Sequence, residues 1–190
     1  MEKLGAVSKQ TNTLHREICM NEKTVISMSE RRQDRRRRKC NDVTEIMKSV
    51  PFHKHLSLHG IDNIIIKGKV LQGGDRFNTW LQRGDASDPE HVALVFDVRF
   101  SYGSDRNFIV CNDRKGDKWG SEERNAKAFP FAYGEKFKMT IELHKDEYKI
   151  KVGEHHIKEF HHRMPIYDVD TFRVDGKVEL EEVKIETILD

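Results

Sequence analysis

His91-Val92-Ala93-Leu94-Val95-Phe96-Asp97-Val98-Arg99-Phe100 is the stretch that decides the fold. Val92, Leu94, Phe96, Val98 and Phe100 fall on one side of an extended chain, and Ala93, Val95, Asp97 and Arg99 fall on the other. Successive side chains of a strand point to opposite faces, so this spacing predicts a β-strand with a core face and an outward face. The same alternation extends in both directions. Phe137, Met139, Ile141 and Leu143 share one face, as do Tyr148, Ile150 and Val152. Further strands are expected at Ile64–Val70, Arg76–Gln82, Arg106–Asn112, His156–His161, Thr171–Val174 and Lys177–Thr187. Turn residues separate them, including Gly73-Gly74-Asp75, Ser101 to Asp105, Gly134 and Asp175-Gly176. Many short strands with frequent turns and no convincing helix predict an all-β protein, a two-sheet antiparallel sandwich.

The strand pattern begins near Pro51. The chain has 190 residues, and 51–190 is long enough to build one core without disulfides or metal. Residues 1–50 form a basic extension with no aromatic residue, expected to be disordered or partly helical. Val43, Ile46, Met47 and Val50 have helical spacing, which suggests a short amphipathic turn docking on the domain. The formal charge is only +2, and the positive excess lies in the extension. Its densest part, Arg31, Arg32, Arg35, Arg36, Arg37, Arg38 and Lys39, reads as a nuclear-localisation tract or a solvated tail. Without interleaved aromatics it is a poor nucleic-acid platform.

Three cysteines, Cys19, Cys40 and Cys111, make no disulfide framework and point to a reducing compartment. Met1–Gln10 lacks the apolar stretch of a signal peptide, and the longest apolar run, Val92–Phe96, is too short for a bilayer. The expected location is the cytoplasm or nucleus, with unconventional export still open and no membrane insertion.

The outward residues carry the chemistry. Ile109 and Cys111 are expected in the core, leaving Phe108, Val110 and Asn112 outward. If these strands are neighbours, Asp97, Arg99, Asn112, Trp119, Glu122 and Arg124 gather on one surface. Charged and amide side chains satisfy hydroxyls with fixed geometry, and an aromatic ring offers a platform for C–H groups. That is the chemistry of sugar recognition. The same residues also suit a solvated face of cross-strand ion pairs, each worth roughly 0.2–1 kcal/mol.

At these residues the sequence resembles the galectin family. The similarity is carried by Asn107-Phe108-Ile109-Val110-Cys111-Asn112, by Trp119-Gly120-Ser121-Glu122-Glu123-Arg124, and by Phe129-Pro130-Phe131 with Gly134 and Phe137. Ala93–Phe100 resembles that family's strand with a His-x-Asn-x-Arg motif, and Glu159-Phe160-His161-His162-Arg163 is also similar. The resemblance covers about 51–190. It implies a jelly-roll sandwich that binds β-galactosides without metal, cofactor or catalysis. By resemblance, Trp119 stacks on galactose, Asn112 and Glu122 bond its primary hydroxyl, and Arg99, Glu122 and Arg124 form a charged network toward the second sugar. Arg99 also reaches the axial hydroxyl. Two positions depart from the motif: Val95 stands where the family has His, and Asp97 where it has Asn. Val95 offers no hydrogen bond, and ionised Asp97 only accepts. The expected partners are galactose-containing glycans or, if sugar binding is lost, proteins.

Other motifs carry less. His155-His156 and His161-His162 place neighbours on opposite strand faces and are not expected to hold metal. Arg83-Gly84-Asp85 is a three-residue coincidence with an adhesion tripeptide. Asp97 and Glu122 do not suit a glycosidase pair, because Arg99 and Arg124 disfavour the protonated acid such a reaction needs.

Overall fold

The computed structural model describes residues 42–125 and 129–187. The arginine tract at 31–39 lies outside the described residues. Among those described, the chain is strand and turn, with one 3-10 turn at Ile166–Asp168. No helix among them is long and apolar enough to cross a membrane.

Two antiparallel sheets face each other. The first runs in the order β1 (Val43–Lys48), β13 (Val178–Thr187), β3 (Ile61–Val70), β9 (Lys136–Leu143), β10 (Glu147–Val152), β11 (His155–His161). The second runs β2 (Phe52–His55), β12 (Thr171–Gly176), β4 (Arg76–Gln82), β5 (His91–Tyr102), β6 (Asp105–Lys115), β7 (Lys118–Trp119), with β8 (Glu123–Asn125) also paired to β6. The predicted core residues Phe96, Phe100, Ile109, Cys111, Phe137 and Ile141 are all buried between the sheets. Phe96, Phe100, Ile109 and Cys111 come from the second sheet, and Phe137 and Ile141 come from the first together with Ile64, Ile66, Met139 and Phe160. Phe77 sits against both Phe131 and Phe137, with ring centroids 5.2 and 5.3 Å away. Burial pushes the Cys111 thiol up to about 12, so it packs as a small apolar side chain rather than reacting.

Three expectations change. The first concerns β5, where the register shifts between Val92 and Val95. A bulge sets two residues against one and disturbs the alternation. Ala93 therefore joins the core cluster and Val92, although buried, does not. From Leu94 onward the predicted alternation holds.

The second concerns the outward face, which is not a wet one. Val95, Asp97, Val110 and Asn112 are all buried, because Trp80, Arg76, Tyr102 and the β6–β8 loop rise around them.

The third concerns residues 42–50. The expected helical turn is instead strand β1, whose Val43, Thr44, Glu45, Ile46 and Lys48 pair with β13. Met47 lies at φ 49° and has no place in that register. A left-handed residue resets the alternation, and this produces the helix-like spacing in the sequence. Ile46 and Met47 are 65% and 68% exposed, so β1 contributes backbone pairing and the Glu45–Lys54 ion pair at 2.6 Å more than apolar burial. A chain starting at residue 51 is expected to melt roughly 3–6 °C below one starting at residue 42, corresponding to about 1–2 kcal/mol. Calorimetric melting of the two checks this; identical midpoints would show that the pairing adds nothing.

Candidate functional site

The register of β4, β5, β6 and β8 arranges the outward side chains in three rows. Trp80, Val95 and Asn112 lie side by side, then Asn78, Asp97, Val110 and Arg124, then Arg76, Arg99 and Phe108. Above them stand Trp119, Gly120 and Glu122, and the whole encloses an open cavity of about 600 Å³. Five of the six sequence-predicted site residues, Asp97, Arg99, Asn112, Trp119 and Glu122, line it. The sixth, Arg124, joins through Glu122.

Arg99 is the hub. Its Nε donates to Asp97 Oδ2 at 2.8 Å, Nη1 to Asp105 Oδ2 at 2.7 Å and Nη2 to Glu122 Oε1 at 3.2 Å. Arg124 Nη1 donates to Glu122 Oε2 at 2.6 Å, and its Nη2 to Asp105 Oδ1. Two guanidinium groups are thus clamped by shared carboxylates, and each keeps N–H groups free for a ligand. Burial works against the charge on Arg99, but its bonds to Asp105, Asp97 and Glu122 outweigh that and raise its pKa. The Arg99 bond is the largest effect on Asp105; burial opposes it, and with the further help of the Arg124 bond the carboxyl is held below the usual carboxylate range. Burial would raise Glu122, yet Arg124 and Arg99 together pull it down.

These shifts have a pH consequence. A carboxyl whose folded pKa lies below its unfolded value contributes stability above the unfolded value and loses it as pH falls through the folded one. The melting temperature is therefore expected to be insensitive to Asp105 and Glu122 above about pH 5, and to fall as pH drops below about 4. Melting curves from pH 8 to 2.5 test this. A loss beginning near pH 6 would contradict it.

Trp119 is held by its loop. Gly120 N donates to Asp113 O at 2.9 Å, and a Cβ on Gly120 would stand 2.0 Å from Asp113 Oδ1, so only glycine allows this approach. Arg163 ties the loop down, donating from Nη1 to Asp113 Oδ1 at 2.8 Å and Ser121 O at 2.9 Å, and from Nη2 to Glu123 Oε1 at 2.7 Å. Trp119 remains 47% exposed, open as a platform. Asn112 donates from Nδ2 to Gly120 O at 3.1 Å and accepts from Asp113 N at 2.9 Å. That leaves one N–H of its amide for a ligand.

Four contributors were missed in the sequence: Arg76, Asn78, Trp80 and Asp105. The first three occupy alternate positions of a correctly predicted strand, so their shared face was readable, but not which strand they would pair with. Asp105, which the sequence places at the end of a turn, is the first residue of β6. The bonds of Arg163 span some 40 to 50 residues of sequence, so its role is not visible in the segment around it. Among the described residues no group of three or more His, Cys, Asp or Glu side chains is spaced to hold a metal ion.

The family model for galactoside-binding lectins matches residues 51–185. The chain belongs to the galectin family. It is 32% identical to galectin-3 of Mus musculus over 118 residues, covering 62% of this chain and 42% of that protein. It is 33% identical to galectin-8 of Rattus norvegicus, covering 72% and 42%, and 34% identical to galectin-7 of the same species, covering 63% and 84%. The chain thus matches less than half the length of the galectin-3 and galectin-8 relatives. Among solved structures, Caenorhabditis elegans galectin LEC-6 superposes with a TM-score of 0.65 at 20% identity, over 75% of this chain and 94% of that one. A human galectin-16 variant superposes at 0.66 and 25% identity, over 75% and 99%. The galectin sandwich is therefore the fold of this chain.

Proposed function

We propose that this galectin domain is a lectin for β-galactoside-containing glycans, with affinity weakened by Val95 and Asp97. The observation that carries the reading is the half-exposed Trp119 standing over one cavity with Asn112, Arg99 and Glu122. An apolar platform faces fixed donors and acceptors across a space large enough for a disaccharide. The ion pairs hold those groups in place beforehand, so little ordering is left to binding. No chemical step is part of this function. Asp105 and Glu122 are both held ionised, so neither supplies the protonated acid that glycoside hydrolysis needs.

A second reading, a galectin module that works through protein contacts, is favoured by one specific pairing. Asp97 occupies Arg99 Nε at 2.8 Å, and Val95 beside it provides no donor. Val95→His with Asp97→Asn restores the family's motif and frees Arg99. This double variant is expected to bind N-acetyllactosamine about tenfold more tightly than the wild type, the effect of one or two recovered hydrogen bonds. Titration calorimetry on the two proteins measures it. A glycan array of the full chain distinguishes the readings: signal on terminal β-galactosides supports the lectin, and a blank array from folded protein supports the protein-binding module.

A further inference from the structure

Trp80, Val95 and Trp119 form the apolar end of the cavity. The two indoles meet edge to face, with ring centroids 5.9 Å apart. Each is backed by an arginine that does not itself line the cavity. The Arg114 guanidinium carbon lies 5.6 Å from the Trp119 ring centroid, and that of Arg173 lies 5.4 Å from the Trp80 centroid. Both fall within the roughly 6 Å reach of a cation–π contact. The strand register puts them there. Val92, Arg114 and Trp119 form one row across β5, β6 and β7, and Arg173 of β12 pairs with Trp80 of β4.

Both arginines also reach the same short stretch of the β4–β5 loop. Arg114 Nη1 donates to Asp88 and to Pro89 O at 3.1 Å. Arg173 Nη1 donates to Ser87 O at 2.8 Å, and its Nη2 to Asp175. The Nε of each is buried without a protein acceptor. Each guanidinium thus forgoes a bond in an orientation that sets it against a ring and ties it to the loop. The rings need such a hold. An indole turns about two side-chain bonds, and Trp119 is half-exposed on a strand of two residues. Gly120, Asp113 and Arg163 fix its backbone, not the rotation of its ring. A platform still free to turn would lose that freedom on binding, at a cost in affinity.

We propose, resting on the galactoside reading above, that Arg114 and Arg173 are positioning residues for the aromatic platform, and that Ser87-Asp88-Pro89 sets the two indoles through them. Arg114 holds Trp119, Arg173 holds Trp80, and the loop joins the two holds into one brace outside the sugar groove.

Two indoles this close couple their electronic transitions, so the exciton couplet in circular dichroism reports their mutual angle with no sugar present. Trp80→Phe assigns the couplet by abolishing it. Arg114→Met keeps an unbranched apolar stem and removes the guanidinium. It is expected to weaken the couplet and to lower affinity for N-acetyllactosamine about twofold to tenfold in calorimetric titration of the full chain. Arg173→Met is expected to weaken the couplet likewise. Asp88→Ala, at a side chain 85% exposed, should shift couplet and affinity in the same direction by less, because Pro89 O still holds Arg114. Melting curves report whether each variant is folded. Arg114→Met with the couplet and affinity of the wild type would overturn the proposal. So would a lowered melting temperature with both kept, which would make Arg114 a brace of the fold alone. A wild type that shows the couplet but no heat with sugar would overturn the galactoside reading, and the couplet of Arg114→Met would still decide whether the arginine sets the ring.

Discussion

Replacing Arg99 with alanine is expected to destabilise the domain by roughly 3 kcal/mol and to abolish sugar binding. Arg99 holds Asp97, Asp105 and Glu122 at once, and its own side chain is largely buried. Removing one member of a buried ion cluster leaves the others uncompensated, at about 3–5 kcal/mol. The lower end applies because Arg124 still holds Asp105, and Arg76 stands 3.7 Å from Asp97. The melting temperature should fall by about 10 °C. The acid-dependent loss of stability should become smaller, since the bond that chiefly lowers Asp105 is gone and its folded and unfolded pKa values draw together. Arg99→Lys should recover only part of the loss, because an ammonium cannot address three carboxylates with fixed fork geometry. Denaturant melts and pH titrations of the variants check both effects. A variant as stable as the wild type would mean that the carboxylates are satisfied by water.

Trp119→Ala is expected to do the opposite: to leave stability almost unchanged and reduce galactoside affinity by about thirtyfold to a thousandfold. The ring is half-exposed and its loop is fixed by Gly120, Asp113 and Arg163 rather than by the indole. Its contribution is the platform on which the sugar's C–H face rests. Losing an anchoring aromatic at the centre of a binding site typically removes 2–4 kcal/mol of affinity. The partner ring Trp80 is 5.9 Å away on the other side of the apolar end and does not replace it.

Much of this was legible in the sequence because the physics involved is local. The alternation in His91–Phe100 reported a strand with a core face, and the run from Asn107 to Arg124 carried the donors, acceptors and platform of the site. What was not legible depends on long-range pairing. Asn78, Trp80 and Arg76 enter the groove only because β4 pairs with β5 in the register Trp80↔Val95 and Asn78↔Asp97. Asp105 becomes a clamp only because Arg124 of β8 is brought alongside β6. β1 lacks a two-residue period because Met47 is left-handed and because an edge strand with an exposed outer face is not required to alternate, so its sequence looks helical. The bulge at Ala93 escaped for a related reason: every side chain around it is apolar, so the pattern shows no polar residue out of place.

Titration calorimetry of the full chain with N-acetyllactosamine, run in parallel on the wild type and on Trp119→Ala, tests whether the Trp119 groove is a galactoside site. Saturable heat with one site per chain is expected for the wild type and none for the equally stable variant. Equal heats for both proteins, or no heat for folded wild type and for the Val95→His, Asp97→Asn double variant alike, would contradict it.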